Sequence, residues 1–87
     1  MSDAIKLTTA DIQHLFALLN QELRDADTHA ELYVVGGAAM CLALGARNAT
    51  RDVGAWFRPS ILVRQAAARV AARANVPEDW LNDAVKA

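Results

Sequence analysis

Cysteine is nearly missing. Cys41 is the single one in 87 residues, so no disulfide can form within the chain. That usage fits a reducing, cytoplasmic setting, and the apolar, helix-prone neighbours of Cys41 make it a core residue rather than a nucleophile. Net charge is almost absent too: nine Lys and Arg against ten Asp and Glu leave −1 at pH 7. A nonspecific nucleic-acid coat needs a large basic excess to neutralise phosphates, so the near-neutral charge argues against that class and leaves a local basic patch open. Long hydrophobic runs are also missing. The apolar stretch 32–44 is interrupted by Gly36 and Gly37 and falls short of the roughly 20 residues of a membrane helix. Neither a membrane span nor a signal peptide is expected. Only two prolines are present, Pro59 and Pro77. With so few, each is expected to mark a boundary between elements.

What remains is 54% hydrophobic, enough for one small soluble domain over 1–87. Met1 to Leu7 reads as a loose start. Thr8 or Thr9 can cap a helix, with Asp11 in its first turn. Ile12, Leu15, Phe16, Leu19 and Leu23 then recur at helical spacing to about Asp25. His14 flanks that stripe and His29 lies in the next connection. Neither has a partner at metal-ligand spacing, so both read as structural or solvent-facing. Further on, Arg58-Pro59-Ser60 reads as a turn with Ser60 capping an alanine-rich helix from Ile61 to about Ala74. Arg64, Arg69 and Arg73 form a charged face of that helix, expected to be solvated. Pro77 then suits the first position of a last helix carrying Glu78, Asp79, Trp80, Leu81, Ala84 and Val85.

The stretch from Leu32 to Phe57 organises the chain. Leu32 to Val35 is a β-prone run, and Gly36 and Gly37 end it abruptly. Ala38 to Leu44 is helix-prone, with Gly45 as its stop. Arg47 to Thr50 reads as a polar loop. From Arg51 to Phe57 the pattern alternates, with Val53, Ala55 and Phe57 on one face and Asp52, Gly54 and Trp56 on the other. Two readings of this arrangement stand side by side. In one, the glycines are a tight turn and Asp52 is a polar residue near a strand. In the other, Asp52 holds a metal whose phosphate partner rests on the turn's amides. Trp56 can stack on a base, though packing under a helix is the preferred role. Arg58 follows closely enough to reach a phosphate.

The glycine pair at 36–37 followed by ARNATRDVGAWF at 46–57 resembles the nucleotidyltransferase superfamily that includes DNA polymerase beta. It is most similar to the small prokaryotic branch with toxin–antitoxin members. In that family a G-G or G-S turn follows the first strand, and a second strand carries D-x-D. The resemblance implies that Asp52 is a catalytic, Mg²⁺-binding residue, and that Gly36, Gly37, Thr50 and Arg51 surround a nucleoside triphosphate; Arg58 joins them only by its position after the strand, with simple solvation as its alternative. It also places the family's second Asp at Gly54, and no stretch after Phe57 supplies the third carboxylate. The family clamps two ions roughly 4 Å apart between carboxylates and phosphate oxygens. With one side of that clamp missing, Mg²⁺ binding is expected to be weak or lost and catalysis weak or absent.

The implied fold is α/β: a minimal nucleotidyltransferase-like core with strands near 32–35 and 51–57, packed by about four helices. The C-terminal part of the family fold is expected to be missing. Two strands make a poor sheet alone, so a homodimer or a partner protein is expected to cover the exposed surfaces. Two other functions remain open: a non-enzymatic, toxin–antitoxin-like interaction module, and an active transferase on RNA, protein or a small hydroxyl acceptor.

Overall fold

The computed structural model describes residues 6–44 and 49–83. Leu7–Thr8 forms a short strand, β1, and Thr9–Asp25 forms helix α1. Thr8 Oγ1 accepts the Asp11 backbone N–H at 3.2 Å, and the Asp11 carboxylate accepts the Thr8 N–H at 2.9 Å. This reciprocal capping box occupies donors that the first helical turn leaves open. The Thr8 N–H foremost, with the Thr8 hydroxyl second, holds the Asp11 carboxyl below the usual carboxylate range. The apolar stripe is seated as its spacing predicts, with Ile12, Leu15 and Leu19 buried.

Glu31–Val35 is β2, and the chain turns at once into α2, Gly36–Ala39, which widens into a π-helical turn over Met40–Leu44. Gly36 makes this abrupt start possible, because its φ of +69° lies in the left-handed region that residues with a Cβ avoid. Cys41 is buried, and its carbonyl accepts a bond from Thr9 Oγ1 at 3.2 Å. The expected stop at Gly45 and the residues Ala46 to Asn48 lie outside the described residues. Ala49–Thr50 is a short strand, β3, and Val53–Arg58 is β4. Helix α3, Ser60–Ala74, leads through a turn to a last strand, β5, Leu81–Asp83.

The strands form two sheets. One pairs β1 with β3 antiparallel. The other has the order β2-β4-β5, antiparallel between β2 and β4 and parallel between β4 and β5. Val53, Ala55 and Phe57 are buried on the face of β4 that packs on the helices, so the alternation read from the sequence selects the correct face. α1 and α3 pack on each other, and Val63, Ala66, Ala67, Val70 and Ala71 supply the α3 side of the core. The alanines permit a close approach.

Several expectations are corrected. The helix expected from Pro77 is a turn followed by β5, because Trp80 is drawn into the core and its carbonyl accepts the Val53 N–H at 2.6 Å. This long-range bond leaves the strand edge of β4 paired rather than bare. Instead of about four helices, the described residues contain α1, α3 and the short α2 with its π turn. The N-cap of α3 is Pro59, not Ser60, and it contributes no side-chain cap. Leu7 is not loose: it is buried and pairs with Thr50, which makes Ala49 and Thr50 a strand rather than loop.

The arginines of α3 are exposed, as their spacing predicts, and each also meets a carboxylate. Arg69 Nε donates to Glu22 at 2.7 Å and Arg73 donates to the same carboxylate at 3.0 Å, stapling α3 to α1. Arg64 stands 4.0 Å from Asp83 and 5.8 Å from the centre of the Phe57 ring. The Arg69 bond, with help from Arg73, holds the Glu22 carboxyl below its ordinary range. A carboxylate with a depressed folded value adds stability above its unfolded value and loses it as pH falls through the folded one. Glu22→Gln is therefore expected to lower stability at neutral pH and to flatten the fall below the ordinary glutamate range. Urea midpoints compared at neutral and acid pH check this, and parallel pH profiles for the two proteins would contradict it.

Candidate site at the glycine-turn end of the sheet

Strand register brings the sequence-predicted residues together at one end of the sheet. Val35 pairs with Gly54, so the glycine pair that follows Val35 and the Asp52 that precedes Gly54 lie at the same end. Asp52 is exposed and stands in a bend just before β4 rather than within the strand. Its backbone carbonyl accepts a bond from Thr50 Oγ1 at 3.3 Å, which ties Thr50 to the bend. Arg51, in the same bend, is exposed. The alternation carries Gly54 and Trp56 to the face opposite the helices, with Tyr33 and Val35 beside them on β2.

Arg58 does not join this group. It ends β4 four residues beyond Gly54, about 13 Å away at strand rise. There it forms an ion pair with Glu31 and lies over the Trp56 ring, 5.4 Å from its centre. Trp56 packs against Tyr33, ring centres 5.4 Å apart, rather than under a helix. His14 and His29 are both exposed, and His29 borders a shallow cavity of about 390 Å³ with Glu31, Arg58 and Pro59.

Sequence reasoning missed Asn82. It lies on β5 in register with Gly54, and residues paired this way share a face. A later strand thus does flank β4, but the group it sets beside Gly54 is an amide. The neighbouring Asp83 pairs with Ala55 and belongs to the helix-facing side, near Arg64. No local signal marks β5, because a three-residue strand is too short to show alternation.

Among the described residues, the side-chain carboxylate and amide oxygens at this end are those of Asp52 and Asn82. Among the described residues no group of three or more His, Cys, Asp and Glu side chains is placed to hold a metal ion. Two ions need bridging carboxylates that offset each other's repulsion by sharing the ions, so these residues do not fit a two-ion clamp. No protein-family model, curated protein or solved structure matches the chain. The fold is a small α/β domain with strands in two sheets, and among the described residues no helix is long and apolar enough to cross a membrane.

Proposed function

We propose that this chain is a nucleotidyltransferase-like domain that binds a magnesium nucleotide at most and is weak or inactive as a catalyst. One observation carries this reading. The register sets Gly54 between Val35 and Asn82, at the end of the sheet where Gly36-Gly37 and Asp52 also lie. The order of parts is a strand, a glycine turn, a bend carrying Asp52 that leads into a central strand with Gly54 as its second residue, and a flanking later strand. That order supports the family resemblance. The side chains at the ligand positions argue for lost chemistry: glycine offers no donor, and Asn82 offers a neutral oxygen. Among the described residues Asp52 is then the carboxylate at this end available to a magnesium nucleotide, with water on the ion's remaining positions.

Calorimetric titration of magnesium ATP, GTP, CTP and UTP tests this reading. Binding is expected with at least one nucleotide, and it should vanish with EDTA and with Asp52→Ala. Absence of heat with all four would remove the nucleotide from the proposal.

A further inference from the structure

Strand β2 is the most apolar strand of the sheet, yet none of its five residues is fully buried. Tyr33 is 59% exposed and Val35 38%, and Leu32 and Val34 are only half-buried. β2 is also an edge: it pairs with β4 on one side, and among the described residues nothing pairs with the other. Edges are normally blunted by shortness, proline, lysine or a bulge. The opposite edge, β5, follows that rule, with three residues that include Asn82 and Asp83. β2 does not. It is five residues long, lacks proline and lysine, and its one charge, Glu31, is engaged by Arg58 of β4.

We propose that a second copy of this chain pairs with the outer edge of β2, antiparallel about a twofold axis through Tyr33. The sequence of the strand selects this occupant. It is the only antiparallel twofold register that uses all five residues. It sets Leu32 beside Val34 of the second copy, Tyr33 beside its own equivalent, and Glu31 beside Val35. The central pairs are apolar, each Glu31 at the ends stands beside Val35 while held by Arg58 of its own copy, and no charge faces a like charge. On the helix side, Leu32 borders a cavity of about 150 Å³ lined also by Phe16, Leu19, Leu23 and Val63, so Val34 of the second copy lands beside that opening. On the open side, the ring contact between Tyr33 and Trp56 continues across the axis into a strip of four aromatic rings. The product is a six-stranded sheet, β5-β4-β2 joined to its copy. This assembly is independent of nucleotide binding, since Asp52 lies away from the edge.

Sedimentation equilibrium and charge exchange at Tyr33 test the register. The wild-type chain is expected at twice its 9.4 kDa mass. Tyr33→Lys and Tyr33→Glu each set like charges against each other across the axis. Each should weaken the dimer on the order of a hundredfold, with an unchanged circular dichroism spectrum because Tyr33 is exposed. Mixing the two variants should restore the dimer. Tyr33→Cys gives a second readout, since oxidation should join two chains through position 33 while buried Cys41 stays out of reach. A monomeric wild type overturns the proposal. So does a dimer indifferent to both charge variants, a mixture that remains monomeric, or a cysteine variant that does not cross-link. Asp52→Ala should dimerise like the wild type, which separates this outcome from that of the nucleotide titration.

Discussion

Trp80→Ala is expected to cost the domain about 3–5 kcal/mol, the range for emptying a buried aromatic site. Small domains have total stabilities of about 5–15 kcal/mol, so this one change removes a large share. Trp80 is 1% exposed and the largest fully buried side chain. Its ring stands 6.3 Å from that of Phe16 on α1, and its Nε1 donates to the Ala67 carbonyl of α3 at 2.9 Å. Its backbone carbonyl takes the Val53 N–H, and its own N–H donates to Pro77 at 3.0 Å. One residue therefore joins both long helices to the start of β4 and fixes the point at which β5 begins. Trp80→Phe keeps a ring but loses the donor, and should cost nearer 1 kcal/mol than 4. Urea unfolding measures both. A loss under about 1 kcal/mol for the alanine variant would show that β5 and the helix pair are held by something else. The consequence reaches the candidate site, because Asn82 stands beside Gly54 only while β5 is docked.

The same residue shows where sequence reading succeeds and where it stops. Helices α1 and α3 and strands β2 and β4 are legible to within one or two residues. Their signals are local: the Thr8–Asp11 cap, the spacing of Ile12, Leu15 and Leu19, the β-prone run ending at Gly36, and the alternation from Val53 to Phe57. The strand β5 has no such signal. Pro77 followed by Glu78 and Asp79 is sound local chemistry for a helix start, but burial of Trp80 and a bond between Trp80 and Val53 outweigh it. β1 and β3, two residues each, exist only as partners of one another. For the candidate site, the sequence nominates the glycine pair and Asp52, and the register brings them to one end of the sheet. It overextends to Arg58, because nearness in sequence along an extended strand is distance in space. It misses Asn82, because a parallel neighbour 28 residues on from Gly54 is invisible without the pairing.

Gly54→Asp should convert that end of the sheet into one whose stability depends on magnesium. The wild-type glycine contributes no donor, and strand glycine is itself weakly destabilising. A carboxylate two residues after Asp52 and beside Asn82 would add repulsion. At about 6–7 Å in a watery setting, this costs under about 1 kcal/mol. In EDTA the variant is therefore expected to match the wild type or fall slightly below it. A divalent ion shared by both carboxylates reverses the balance: at a hundredfold excess over its dissociation constant it adds about 2.7 kcal/mol. The wild type, with Asp52 alone, should respond far less. Gly54→Asn, which fills the same space without charge, should not respond at all. Thermal melts of the three proteins in EDTA and in magnesium separate metal binding from side-chain packing. Asp52 occupies a bend rather than the strand, so the response also reports whether both carboxylates reach the same side. If the Asp variant gains no more from magnesium than the Asn variant, this end of the sheet has no latent metal geometry. The register around Gly54 would then be a likeness of layout alone, and the magnesium part of the nucleotidyltransferase-like reading would fall. A clear gain would mean that the scaffold keeps a geometry competent to hold one ion once position 54 carries a carboxylate.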